Sequence, residues 1–355
     1  MNTTLELSEL NSKIGQLFMI GIPGTGMDME TEALIQDYNP GGVILFSRNI
    51  TEPLQVARLC RDLQANAMSS NSTPLFLSVD QEGGRVARLR EPFTAFPGNR
   101  AVGMHKNPLK EAERFGHTTA REMKAVGLNM DLAPVVDVQR GEPEKHLEGR
   151  MFSEDPDVTA ALGGAVIRSL QEKGVMAVAK HFPGLGRSTL DPHFELPRIE
   201  IESEEMENVN LPPFRAAVAE GVSGVMTSHA VYPALDPERP ATLSPPILTD
   251  LLRKRLQFDG LIITDDLEMG AIAKRWGVAG GAVEAFVAGA DILLICKSQE
   301  RFLESLDQLR TKILQGEIPS RRLNESCERI MKAKSRFLDN AARISLAKVK
   351  KIFNI

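Results

Sequence analysis

Short apolar runs recur along the chain: LFMIGI (17–22), GVILF (42–46), PLFLSVD (74–80), NMDLAPVVDV (129–138), VMAVAKHF (175–182), GVMTSHA (224–230), GLIITDD (260–266) and DILLIC (291–296). Most are rich in Val, Ile and Leu and do not alternate with polar residues, the pattern of strands covered on both faces in a parallel sheet. The stretches between them place apolar residues three and four apart: TEPLQVARLCRDLQANA, KEAERFGHTTAREMKAVG, DVTAALGGAVIRSLQEKG, MENVNLPPFRAAVAEGV, ILTDLLRKRLQ and GGAVEAFVAGA. That is helical spacing, and several of them end in Gly, a common helix stop. Eight strand-then-helix units with no second block of strands predict an α/β fold, a single (β/α)8 barrel of the TIM type spanning residues 1–355. A doubly wound open sheet would give a similar pattern and is the structural alternative. RFLESLDQLRTKILQG and SRRLNESCERIMKAKSRFLDN predict two extra C-terminal helices that close the barrel. The basic tail AKVKKIFNI reads as a frayed, solvated helix.

At 355 residues, 42% of them hydrophobic, the chain can bury a full barrel core as one domain. The net charge of −5 comes with Lys and Arg scattered among acidic residues, so no footprint for nucleic acid is visible. The opening MNTTLELSELNSKIGQ lacks a basic region followed by an apolar core, and no apolar run approaches the roughly 20 residues of a membrane span. Cys60, Cys296 and Cys327 form an odd set without CxxC spacing, which argues against a disulfide framework or a zinc site. A soluble, unexported protein of the reducing cytoplasm is expected, and oligomeric state is not legible.

In such a barrel the chemistry sits at the C-terminal ends of the strands, so polar residues there carry the most information. The third run ends in Asp80, the fifth in Lys180 and His181, the sixth in Ser228 and His229, the seventh in Asp265 and Asp266. Charges beside buried strands are costly unless paired or used. Asp80 could equally pair with Arg85 or Arg88 as a structural clamp, and Ser228 and His229 read as supporting residues. The segment KHFPGLGRSTLDPHFELP (180–197), broken by Pro and Gly, must leave the strand as a long irregular loop over the barrel mouth. It presents Asp191 two residues before His193, where a carboxylate can fix one ring nitrogen and raise the basicity of the other. His181, Asp191, His193 and His229 are plausible metal ligand types, but they lack any compact ligand spacing, so no metal is expected. No organic cofactor is expected either: there is no GxGxxG after the first strand, and DQEGG is not a P-loop.

Several longer stretches carry a resemblance: IGQLFMIGIPG near the start, GGVILFSRNI, SVDQEGGRVARLR, FPGNRAVG, NMDLAPVVDV, EGRMFSEDP, KHFPG, D-x-H at 191–193 and ITDDLEMGAI. In this order and spacing the chain resembles the single-domain β-N-acetylhexosaminidases of glycoside hydrolase family 3, the NagZ type. The resemblance implies a retaining mechanism with Asp265 as the nucleophile, Asp266 in an orienting role, and His193 partnered by Asp191 as the acid/base. By the same matching, Asp80, Arg88, Arg150, Lys180 and His181 bind the sugar. Carboxylates accept sugar hydroxyls, while Arg and Lys donate charge-assisted bonds. The chain departs from the family's usual K-H-F-P-G-H-G at Leu185 and from D-S-H at Pro192. The first change removes a polar group, and the second biases Asp191 toward an extended backbone.

The expected substrate is therefore a carbohydrate ending in β-linked GlcNAc, with muropeptide fragments as the biological form. A His acid/base carries no negative charge to repel phosphate, so phosphorolysis is expected to compete with hydrolysis. A family 3 β-glucosidase or β-xylosidase would share Asp265 and Asp80, but it generally takes its acid/base Glu from a second domain. A non-catalytic sugar-binding barrel would be signalled by loss of Asp265 or of the dyad, and both are present.

Overall fold

The computed structural model describes residues 3–338 and 343–355; Asp339 and Asn340, the end of the second predicted C-terminal helix, lie outside the described residues. Each of the eight apolar runs supplies one strand. These are β1 (Phe18–Gly21), β2 (Gly42–Leu45), β3 (Phe76–Val79), β4 (Met130–Asp131), β5 (Met176–Phe182), β6 (Gly224–Thr227), β7 (Leu261–Asp266) and β8 (Ile292–Ile295). All pair in parallel and in chain order, and β1 lies between β2 (Met19 beside Gly42) and β8 (Phe18 beside Leu293). The ring has no free edge, which excludes the doubly wound sheet and establishes the (β/α)8 barrel. Lack of alternation in the runs has a direct cause: one strand face fills the barrel and the other meets the helices, so both are dry.

The fourth run gives the shortest strand. Only Met130 and Asp131 join the ladder, because Pro134 has no N–H to donate; Val135 rejoins it through a single bridge to Lys180.

Among the described residues, one principal helix follows each strand and packs outside the ring. The predicted stretches fall in Pro53–Asn71, Pro108–Val126, Pro156–Glu172, Met206–Ala219, Pro246–Arg255 and Val278–Ala288. Pro156–Glu172 shows why the boundaries are legible: the Asp155 side chain accepts from the amides of Asp157 and Val158, and Pro156 takes the first turn. The Met206–Ala219 helix opens with i+5 bonding over Met206–Asn210, just ahead of Pro212 and Pro213, which cannot donate. Helix Met29–Tyr38, between β1 and β2, was absent from the sequence pattern because only Thr31, Leu34 and Ile35 of its ten residues are buried.

Both predicted C-terminal segments are helical, and the chain carries extra helices beyond the barrel as expected. Gln299–Leu314 is the eighth helix of the barrel itself, with Phe302 edge-on to Phe18 at 5.1 Å and to Tyr38 at 6.1 Å. Ser320–Phe337 is the true closing helix, lying across the N-terminal strand ends. Its Ser326 donates to Asp291, the residue before β8, at 2.6 Å, and Arg329 bonds the same oxygen at 3.3 Å. Asp291 also pairs with Arg253 and accepts from the Ile262 amide at 3.0 Å, so one buried carboxylate ties three elements. The basic tail is not frayed. Helix Leu346–Phe353 buries Val349 and Phe353, with the Phe353 ring 4.6 Å from that of Phe93, and it packs on helices Pro53–Asn71 and Pro108–Val126.

Lys334, on the closing helix, is only 2% exposed; its Nζ donates to Gln16 Oε1 at 2.6 Å and lies 5.1 Å from the centre of the Phe76 ring. Burial without a carboxylate partner pushes its pKa down to about 7. An unfolded Lys titrates near 10.4, so the unfolded chain holds the extra proton between pH 7 and 10 and stability rises across that window. Lys334→Met should be at least as stable as the native chain at pH 6.5 and should flatten the rise, which is on the order of 2 kcal/mol. Urea melts at pH 6.5 and 9.5 measure it, and an unchanged slope in the variant would contradict it.

Candidate active site

A cavity of about 330 Å³ opens at the C-terminal ends of the strands, at the small end of the range for small-molecule sites, roughly 300–1,000 Å³. Ile44, Leu132, Met226 and Leu294 give it apolar walls, and every site residue expected from the sequence except Asp191 lines it. Asp191 stands directly behind His193.

The centre of the site is Lys180. The Nζ atom reaches Asp80 Oδ1 at 2.8 Å and Glu82 Oε1 at 2.7 Å, and Arg150 clasps Glu82 in a two-pronged pair at 2.9 and 2.8 Å. Arg88 completes the network, 3.5 Å from Asp80 Oδ2. Asp80 is thus held by Lys180 and Arg88, not by Arg85, whose guanidinium bonds the Lys145 carbonyl. Burial opposes ionisation of both Glu82 and Lys180, but the opposite charges beside them prevail. Arg150 and Lys180 hold the Glu82 carboxyl well below its usual range, and Asp80 with Glu82 holds Lys180 up. Asp131, wholly buried beside this cluster, has its pKa pushed up by burial.

Local backbone explains how neighbouring residues all reach the cavity. The β5–β6 ladder shifts register between Ala179 and Phe182, and the β7–β8 ladder shifts between Ile263 and Asp266. These irregularities let Lys180 with His181, and Asp265 with Asp266, line one cavity despite their alternation along a strand. After β3 the chain folds into a hairpin, Gln81–Gly83 against Val86–Ala87, whose turn uses Gly84 at φ +58. The Gln81 amide donates to Asp131 at 3.0 Å, and its side chain brackets Leu89 through bonds of 3.0 and 2.9 Å, which fixes where Arg88 leaves the hairpin.

His181 Nδ1 lies 2.8 Å from Asp137 Oδ2, so it carries the proton toward the carboxylate; Asp137 also accepts from the amides of His181 and Leu185. Leu185 is buried and serves here through its backbone. His193 Nδ1 lies 2.7 Å from Asp191 Oδ1, and the His193 amide donates to the same oxygen at 2.9 Å. Burial opposes ionisation of Asp191, but these bonds hold its carboxyl below the usual range. His229 is wholly buried, between Thr242 at 2.7 Å and the Asp266 carbonyl at 3.0 Å, and burial lowers its pKa. It supports the end of β7.

Asp265 and Asp266 titrate in opposite directions. Burial resists ionisation of Asp265, but His229, His181, the Asp266 amide at 2.8 Å and Lys180 outweigh it. Asp266 is pushed up to about 6, first by burial and then by Glu268 and Asp265.

Residues not singled out from the sequence also take part. Glu82 anchors the Lys180 cluster, Asp137 holds His181, and His146, bonded through Nδ1 to Glu144, lines the cavity with its ring 6.4 Å from that of His193. Two buried nitrogens in the lining, Arg88 Nε and His146 Nε2, have no partner among the described residues. Among the described residues, Glu144, His146 and Asp191 are the one trio whose donor atoms lie within 4.8 Å of each other in a geometry able to hold a metal ion.

The sequence of residues 9–333 matches the family model for the glycosyl hydrolase family 3 N-terminal domain. The chain belongs to glycosyl hydrolase family 3. It is 34% identical over 345 residues to a beta-hexosaminidase A from Pseudoalteromonas piscicida, covering 91% of this chain and 58% of that one. It is 38% identical over 296 residues to a beta-hexosaminidase from Pseudomonas aeruginosa, covering 82% and 86% of the two chains. A family 3 beta-N-acetylglucosaminidase from Paenibacillus sp. FPU-7 superposes with a TM-score of 0.90 at 40% identity, over 92% of this chain and 62% of that one. This family 3 chain therefore spans less than two thirds of the length of two of these relatives. No helix among its described residues is long and apolar enough to cross a membrane.

The raised Asp266 gives a stability prediction. A carboxyl whose folded pKa is about 6 stabilises fully below about pH 4, and that contribution is lost as pH rises through 6. Asp266→Asn should therefore gain about 1–2 kcal/mol relative to the native chain between pH 4.5 and 7.5, after allowance for partial solvation. Denaturant titrations at the two pH values read the difference, and a pH-independent gap would refute it.

Proposed function

We propose that this family 3 chain is a retaining exo-β-N-acetylglucosaminidase. The observation that carries the reading is one sugar-sized cavity lined by an ionised carboxylate, Asp265, by the Asp191-oriented His193, and by a saturated ionic cluster around Lys180. The hexosaminidase names of its relatives favour the N-acetylated sugar.

The chemistry follows from the carboxylate of Asp265 and the Asp191–His193 pair. Asp265 attacks the anomeric carbon while His193 gives its Nε2 proton to the departing glycosidic oxygen, and the C–O bond breaks as the glycosyl–Asp265 ester forms. Asp191 stabilises the imidazolium before the transfer and keeps the Nδ1 proton in place after it. The neutral His193 then takes a proton from water as that water attacks the same carbon, releasing Asp265 and giving net retention. Asp80, Arg88, Arg150, Lys180 and His181 hold the ring. Arg88 Nε, buried in the lining without a partner among the described residues, and His181 Nε2, whose ring partner Nδ1 is held by Asp137, are poised for sugar oxygens.

The finer reading is that the natural substrate is a GlcNAc-anhydromuramyl fragment met in the cytoplasm. It rests on the family resemblance and on Arg85, a cation in the cavity lining suited to an anionic leaving portion. Faster GlcNAc release from purified muropeptides than from chitobiose supports it, and the reverse order opposes it.

Two assays test the proposal. The native chain should cleave 4-nitrophenyl β-N-acetylglucosaminide in preference to the β-glucoside; Asp265→Ala should lose at least about 10³-fold of that activity. Preference for the glucoside would overturn the substrate, and an active Asp265→Ala would overturn the nucleophile. In phosphate buffer the products should include the sugar 1-phosphate, since His193 does not repel the anion; free sugar alone would remove phosphorolysis from the account.

A further inference from the structure

The crown of the loop bearing Asp191 and His193, residues 189–196, is exposed: the His193 side chain is 59% and Phe194 66% accessible. Most of its hydrogen bonds are internal. The amides of Phe194 and Glu195 donate to the Asp191 carbonyl at 3.0 and 3.1 Å, and Ser188 Oγ donates to the Leu190 carbonyl. Among the described residues only two hydrogen bonds tie the crown to a segment outside the 180–197 loop. The Gly270 amide donates to the His193 carbonyl at 3.0 Å, and the Ala271 amide donates to the Pro192 carbonyl at 3.1 Å.

Both donors open the helix Gly270–Trp276, which begins four residues after β7, the strand that ends in Asp265 and Asp266. A side chain at Gly270 has no room. Its Cβ would stand 2.5 Å from the Phe194 carbonyl oxygen and 2.9 Å from that of His193. These are main-chain atoms, so the crown itself would have to move. The φ of Gly270 lies outside the left-handed region, so backbone conformation does not demand glycine there. Contact with the crown does.

We propose that the Gly270 and Ala271 amides form a latch that sets the position of His193 relative to Asp265. Gly270 is then a positioning residue for proton transfer, acting through the loop rather than touching substrate. The inference rests on the roles proposed above for Asp265 and His193. A largely exposed crown, with only Pro192 buried and two bonds to a segment outside its own loop, opens easily, so loss of the latch disperses the dyad while the barrel stays intact. The cost falls on the step that needs the acid: departure of a poor leaving group requires the His193 proton, whereas a dinitrophenolate leaves without it.

The test compares kcat/KM, which reports the first bond-breaking step, for phenyl and 2,4-dinitrophenyl β-N-acetylglucosaminides in the native chain, Gly270→Ala, His193→Ala and Asp265→Ala. Because an acid catalyst supplies roughly 10²–10⁴-fold, Gly270→Ala should lose about tenfold or more on the phenyl glycoside and less than about threefold on the dinitrophenyl one. His193→Ala should show the same bias more strongly, and Asp265→Ala should lose both substrates. The clash falls on the exposed crown and not on the barrel, so the melting temperature should change little. Hydrogen exchange over 189–196 should quicken in Gly270→Ala alone. Equal losses on both glycosides, or none, with Asp265→Ala inactive, would overturn the latch while leaving the reaction standing; unchanged exchange would overturn it as well. A native chain inert to both glycosides, or a His193→Ala without leaving-group bias, would overturn the underlying roles and with them the latch's catalytic meaning.

Discussion

An ammonium group inside a barrel must be matched by charge or it will shed its proton, and the mouth of this barrel is organised around one such group. Lys180 Nζ sits between Asp80 and Glu82, and Glu82 is in turn closed by Arg150. Four side chains from β3, the hairpin behind it, the 139–155 segment and β5 thus depend on one another. Removing any partner would strand a desolvated charge, a loss of about 3–5 kcal/mol, whereas the intact set contributes little net stability. What it supplies is direction. Asp80 and Arg88 are fixed before a ligand arrives, so the cost of ordering them is met in folding and not in binding.

Lys334 at the opposite end is the contrast. It has no carboxylate partner, and its pKa falls toward neutrality, while Lys180 with two partners has its pKa raised. The same side chain, equally buried, behaves in opposite ways because of what stands within three ångströms. A comparable division separates Asp265 from Asp266, adjacent in sequence and facing the same cavity, one facing Lys180 and the other crowded by Glu268.

The eight strands were legible because burial on both faces leaves unbroken apolar runs, and the charged residues at their ends marked the mouth. Helix Met29–Tyr38 was not legible, since a half-exposed helix of mixed composition has almost no apolar stripe. The tail was misread because Lys348, Lys350 and Lys351 dominate its composition, although Val349 and Phe353, four residues apart, are the face that docks. In the site, Asp80, Lys180, His181 and Asp265 followed from position at strand ends, and the same rule applied to the fourth run would have named Asp137. Glu82 lay in a hairpin no pattern foretold. Glu144 and His146 sit in a polar loop whose spacing carries no signal, and only folding brings them beside His193.

The two ionic clusters, around Lys180 at the mouth and around Asp291 beneath the barrel, are both largely withdrawn from solvent. Dissolved salt screens charges it can reach, over a Debye length of about 8 Å at physiological strength, and reaches these poorly. Ionic strength can therefore be varied widely without loosening the scaffold. What remains exposed to it is the rim, where Arg85 is joined to a neutral carbonyl. The salt dependence of ligand affinity thus becomes a gauge of the charge on whatever part of a ligand lies outside the cavity, read without altering a single residue.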